Sequence, residues 1–307
     1  MNRLLREADT FLFAPCDPRQ FALLRIGIGL MIFYYLCELY PYRDFHYSRE
    51  GWLANIRDLE LINSGDGSLL FYLQGPGELH IFWLLALLAA LGFALGCFTK
   101  SCALLSYVAL LSIWNKNPLV LDGDDALLRI MLFYLALSAC GEVWSIDAWR
   151  RHRETAAVSI WPLRLMQWQL ALLYVISGWV KFYSPAWDDG SILATLLVHP
   201  DYARWNAATL LQFPEFRTFL RWLAHLIRGW EVLFPLLLLH PTTRKLSLAF
   251  GILFHSGLWL CLKLRGFAPL MLWLYLAFIP PAQFTRQTNL LQRRLLQALN
   301  AAKSSLL

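Results

Sequence analysis

Charge is scarce in this chain. Asp, Glu, Lys and Arg together make up 16% of its 307 residues, where an average soluble domain carries about 25%. With so little charge and 58% hydrophobic residues, neither a solvated disordered chain nor a soluble globule fits. Glycine (17) and proline (14) are too few and too irregular for a collagen-like repeat. The six cysteines (Cys16, Cys37, Cys97, Cys102, Cys140, Cys261) form no C-x-x-C and no zinc-ligand spacing, so a disulfide scaffold and a metal site are both excluded. Most lie in or beside apolar segments and read as core or lipid-facing thiols. Cys97 and Cys102 fall in a turn assigned to the cytoplasm, where a disulfide does not persist. The net charge of +6 comes with no basic run interleaved with stacking aromatics, which argues against a nucleic-acid partner. The first 20 residues hold Arg3, Arg6, Glu7, Asp9, Asp17 and Arg19 with no continuous apolar stretch, unlike a cleavable signal.

What is present is apolar and aromatic. The mean hydropathy is +0.47, and the chain carries 14 Trp, 12 Tyr and 20 Phe. Such rings concentrate where one end is dry and the other wet, as at a membrane interface. A bilayer core takes about 20 apolar residues per helix. Eight segments approach that: 20–40, 79–97, 101–114, 126–140, 161–183, 219–239, 246–262 and 267–282. The fold class expected is therefore all-α, a polytopic integral membrane helical bundle of about eight transmembrane helices with the lipid bilayer as its partner. Residues 1–19 form an N-terminal interfacial segment, 20–282 the transmembrane domain, and 283–307 a basic amphipathic tail suited to the membrane surface. With the N-terminus inside, 13 Lys and Arg lie on the inner side and 8 on the outer. That bias places both termini in the cytoplasm and the chain in the cell (inner) membrane.

Charge within apolar segments costs about 2.5–3.5 kcal/mol or more at the centre of a span, so each case needs a reason. Arg228 and Glu231 stand three apart on one helix and are expected to pair; Asp125 and Arg129, four apart, are expected to do the same. Arg164 and Arg221 lie near helix ends and can snorkel. Lys181 differs, having no acidic residue within four positions. It shares a seven-residue stripe with Gln167 and Tyr174, beside Ser177 and Gly178. Desolvated there, its amine would serve as a general base. The competing reading is a lysine snorkelling to the outer headgroups. His255 sits in the middle of its helix and reads equally as a hydrogen-bonded core residue or a ligand contact. Asp189 follows a helix stop and can be a cap.

Several ordered motifs carry a resemblance. The run Trp161-Pro-Leu-Arg-Leu-Met-Gln167, then Tyr174-Val-Ile-Ser-Gly-Trp-Val-Lys181, then Trp187-Asp-Asp-Gly190 resembles the horizontally transferred transmembrane (HTTM) family. That family includes the membrane portion of the vitamin K-dependent gamma-carboxylase. Leu24-Arg25-Ile-Gly-Ile-Gly29, Trp114-Asn115-Lys-Asn117-Pro118, Asp124-Asp125 through Arg129, Trp144-Ser-Ile-Asp147 and Phe254-His255 agree with it. The resemblance implies that Lys181 occupies the position of the family's catalytic lysine, which deprotonates vitamin K hydroquinone. It implies a reduced quinone as cofactor, and Asn115, Asn117, Trp187, Asp189 and His255 as substrate contacts. Position 117 departs from the carboxylase, which has a histidine there, and asparagine does not exchange protons at neutral pH. The carboxylase's large lumenal C-terminal domain has no counterpart.

Two functions from different classes follow. One is a carboxylase-like or epoxidase-like membrane enzyme acting on a lipid-soluble quinol or a small peptide with Lys181 as general base. The other is a non-catalytic membrane component that assists maturation or export of a secreted peptide. A transporter is a third reading, disfavoured by the lack of internal repeats.

Overall fold

A computed structural model describes residues 3–52, 67–152 and 156–304. Arg57 and Arg153, used in the charge count above, lie outside the described residues. The chain is built from helices α1 (Arg3–Phe13), α2 (Arg19–Leu39), α3 (Arg43–Tyr47), α4 (Pro76–Leu95), α5 (Thr99–Lys116), α6 (Gly123–Leu137), α7 (Ile146–Arg151), α8 (Trp161–Lys181), α9 (Pro185–Asp188), α10 (Ile192–Leu196), α11 (Pro214–Leu237), α12 (Pro241–Cys261), α13 (Phe267–Leu274) and α14 (Pro281–Ser304). Among the described residues, the only strands are β1 (Pro15–Cys16) and β2 (Val158–Ser159), paired antiparallel. The all-α expectation holds, and each of the eight apolar segments is helical along most of its length.

The span count differs from the sequence expectation. Two helical stretches, Arg19–Tyr47 and Pro76–Leu95, are long and apolar enough to cross a bilayer. A third joins them if Phe267–Phe278 and Pro281–Arg294 count as one broken span. Among the others, α6 is only 15 residues long, and α11 carries Arg221, Arg228 and Glu231 within its apolar stretch.

The chain divides into two compact units, Met1–Arg164 with Leu276–Leu307, and Leu165–Tyr275. In the first, α2 lies against α4. A Cβ on Gly29 would come within 2.7 Å of Ala94, so the Leu24–Leu30 run needs glycine for the helices to touch. Trp83 on α4 donates its indole N–H to the Leu36 carbonyl (3.2 Å), and Trp114 on α5 donates to the Tyr35 hydroxyl (2.9 Å). Gly96 ends α4 with φ 69°, a left-handed cap that favours glycine.

Arg25 is fully buried, and its charge has a structural use. The guanidinium donates to the carbonyls of Cys140, Val143 and Trp144 in the turn after α6, where helix-terminal carbonyls lack intrahelical donors. Asp147 performs the complementary task at the start of α5. Its carboxylate accepts from the Phe98 N–H (2.9 Å), the Thr99 N–H (2.8 Å) and the Thr99 hydroxyl (2.7 Å). Burial pushes the Asp147 carboxyl up, but these bonds outweigh it and hold the group below its ordinary value. The Trp144–Asp147 motif is thus a helix-terminus clamp.

The second unit contains α8 from Leu165 onward and α9 to α13, ending at Tyr275. Leu197, Ala207, Leu220 and Leu262 form a buried cluster within it. Next to that cluster, α10, α11 and α12 enclose an apolar cavity of about 310 Å³ lined by Leu193, Leu220, Ile227, Phe254 and Leu258, among others. All six cysteines are free thiols.

Candidate active site

The site grows from one close helix approach. A Cβ on Gly178 of α8 would meet the Cβ of Glu231 and the backbone nitrogen of Val232, both on α11, at 2.8 Å. Only glycine lets the two backbones come this near. Lys181 follows Gly178 by three residues, which puts its amine beside α11. Its ammonium forms an ion pair with the Glu231 carboxylate and donates to the Ser177 hydroxyl at 2.7 Å. The Trp187 ring lies 4.9 Å from the same nitrogen, at cation–π range. The side chains of Lys181 and Glu231 are 16% and 5% exposed, so both charges are largely out of water. Lys181 is therefore held between two helices and a ring, which is not the placement of a lysine reaching for headgroups.

This geometry corrects the expected pairing within α11. Glu231 goes to Lys181, and Arg228 reaches instead to Asp188 at 3.4 Å. An i,i+3 pair on a helix is worth about 0.2–0.5 kcal/mol, whereas a buried charge left without its partner costs several times more; the contact between helices prevails. At the other expected pair, Asp125 and Arg129, each side chain has a contact of its own. Asp125 accepts the Asp122 N–H (2.9 Å) at the start of α6, and the Arg129 guanidinium lies 5.2 Å from the Trp114 ring centre.

One turn inward from Ser177, a second polar group is built. The Tyr174 hydroxyl bonds to the His255 Nε2 at 2.8 Å and to the Tyr275 hydroxyl. All three residues are buried. Gly251 makes room for it: a Cβ there would overlap the Tyr275 hydroxyl. The His255 Nδ1 is buried and forms no hydrogen bond. Aromatic rings close around the cluster, with Phe234 4.2 Å and Trp230 5.0 Å from Tyr174, centre to centre. Trp230 is itself fixed by donating to the Ser247 hydroxyl at 2.8 Å.

The remaining expected contacts fall elsewhere. Asp189 is exposed, and its carboxylate accepts the Ser191 N–H at 2.8 Å. Bonds from Ser191 hold its carboxyl below the usual range. Asn115 and Asn117 belong to the first unit. Asn115 is half-buried at the end of α5. Asn117 is fully buried; its side-chain oxygen accepts the Leu119 N–H (3.1 Å), and its amide meets His46 Nδ1 at 3.5 Å. Trp187 and His255 share the second unit with Lys181. Glu231 as the lysine's partner, Ser177 as a bonding group and Tyr275 were not foreseen as site residues. The sequence signals for them were Ser177 and Gly178 beside the lysine's stripe, and Glu231, Gly251 and His255 as residues able to face one another across neighbouring helices.

Helices long and apolar enough to cross a bilayer, with a buried lysine–carboxylate pair between two others, fit an integral membrane protein. The family it falls in is specific: the HTTM domain description matches residues 13–282, and the chain belongs to that family. The family is related to the membrane portion of the carboxylase, as the resemblance implied. No solved structure matches the chain.

Proposed function

We propose that this HTTM protein is a carboxylase-like or epoxidase-like membrane enzyme acting on a lipid-soluble quinol or a small peptide, with Lys181 as general base. The observation that carries this reading is the enclosed Lys181–Glu231 pair. In a desolvated site the charged pair loses most of the hydration that would otherwise favour it over the neutral pair. Transfer of one ammonium proton from Lys181 to Glu231 leaves a neutral amine that still donates to the Ser177 hydroxyl, and its free lone pair can accept a proton from a bound hydroxyl.

A reduced quinone bound here would supply an ionisable hydroxyl and two reducing equivalents. The residues present fit such a group. Trp187 offers a ring beside the ammonium, the buried His255 Nδ1 offers a polar contact, and the apolar cavity lined by Ile227 and Phe254 in the same unit suits a hydrocarbon tail. Trp187 and His255 are the substrate contacts favoured by this arrangement; Asn115, Asn117 and Asp189 are the family-implied set beside them. We place the eight apolar segments across the inner cell membrane with both termini in the cytoplasm, in line with the Lys and Arg bias.

One observation favours the second reading, a non-catalytic component assisting maturation or export of a secreted peptide. Asn117 is committed to capping a turn and cannot shuttle protons. Mass spectrometry of lipid extracted from the purified protein separates the two. A stoichiometric co-purified quinone, lost in Lys181→Met or His255→Phe, supports the enzyme; no quinone in any preparation supports the second reading.

A further inference from the structure

Arg228 on α11 stands three residues before Glu231, the partner of Lys181, and its own partners are poorly matched to it. Its side chain is 13% exposed, and Phe182 covers one face of the guanidinium at 4.3 Å. It makes two polar contacts, both long: Nη1 to one oxygen of Asp188 at 3.4 Å and Nη2 to His225 Nδ1 at 3.4 Å. A largely buried guanidinium ordinarily binds a carboxylate through two parallel bonds of about 2.7–2.9 Å. Asp188 gives it one oxygen at arm's length, and the Asp188 side chain is 77% exposed. An exposed carboxylate at that distance is a weakly held partner, and an incoming carboxylate can replace it at no net change in charge.

The position of Arg228 ties it to the lysine. Phe182, beneath the guanidinium, is the residue after Lys181. Asp188 is the residue after Trp187, whose ring covers the Lys181 ammonium. Glu231, the lysine's partner, follows Arg228 by three residues on α11. Arg217 and Arg221 precede Arg228 on the same helix at a spacing that shares its face. Gly190, at φ 73°, seats the strap after α9 directly on Arg221.

We propose that Arg228 is a binding group for a ligand carboxylate next to Lys181, with Asp188 as the internal carboxylate that the ligand displaces. Its consequence for catalysis rests on the function proposed above; the binding itself does not. Phosphate is the less suitable ligand, because the group now on Arg228 is a single carboxylate oxygen and a carboxylate replaces it without change of charge.

The test is calorimetric titration of the full chain in nanodiscs of zwitterionic lipid, with succinate as probe, uncharged succinamide as control and inorganic phosphate as competitor. Saturable binding of succinate without binding of succinamide is expected. Arg228→Gln should weaken it at least tenfold, Arg228→Lys should weaken it less, and Asp188→Asn, an exposed change that leaves folding intact, should tighten it severalfold. No succinate binding by the unaltered protein, equal binding by Arg228→Gln, Asp188→Asn binding no tighter, or binding of phosphate in preference to succinate would each overturn the proposal. Because no turnover is read, loss of the catalytic reading alone leaves these results unchanged.

Discussion

Lys181 and Glu231 stand 50 positions apart in the chain and form one ion pair, with the ammonium also bonded to Ser177. Removing one member leaves the other charge buried alone, which costs about 3–5 kcal/mol. Glu231→Leu alone and Lys181→Met alone are therefore each expected to lower the melting temperature markedly. The double change Lys181→Met with Glu231→Leu should recover most of that loss, since an apolar pair needs no hydration. The four melting temperatures of this cycle check it; equal losses that simply add would show that the two side chains do not interact.

Gly178→Ala is expected to destabilise the protein by about 1–3 kcal/mol, the range for overpacking a tight contact. The added methyl meets Glu231 and Val232 at 2.8 Å, so α8 and α11 must part. Gly257→Ala on α12, where a Cβ has nothing within 4 Å, is the matched control. Thermal melts of both variants decide this; a Gly178→Ala melt as high as that of the control would contradict the close approach.

A pH dependence is expected at the α5 terminus. Asp147 has its carboxyl below the ordinary value of 3.8 in the folded protein. A group depressed on folding adds stability above its unfolded value, and that stability is lost as pH falls through the folded value. The melting-temperature gap between the unaltered protein and Asp147→Asn should be full near neutral pH and narrow as the pH drops below 3.8. A gap that widens in acid would contradict the clamp.

The helices and the lysine stripe were legible in the sequence because both are periodic and local. Tyr174 and Lys181 recur along α8, and each apolar segment is helical. The partner of Lys181 was not legible. Sequence spacing offered Arg228 to Glu231 on the same helix, and only the α8–α11 approach through Gly178 brings in the lysine. Tyr275 was hidden for the same reason, since its place beside Tyr174 depends on the space left at Gly251. Asp189 was read both as a cap and as a contact; its carboxylate accepts the Ser191 N–H, which closes the turn ahead of α10, while the cap position of that helix is Ser191. Two or three helical stretches pass on length and composition rather than eight, in part because Arg221, Arg228 and Glu231 interrupt the apolar run of α11.

Reporter fusions test the orientation. Fusions within 184–218 and at the C-terminus are expected on opposite sides of the membrane; both on one side would contradict the proposed topology.

The most direct measurement is quinol-dependent oxygen uptake by the full chain and by Lys181→Arg in lipid nanodiscs. Arginine keeps the charge and the pairing with Glu231 but holds its proton. The expected result is uptake by the unaltered protein and none above background by Lys181→Arg, with its melting temperature preserved. A Lys181→Arg protein that consumes oxygen at the unaltered rate would contradict the assignment of Lys181 as the base.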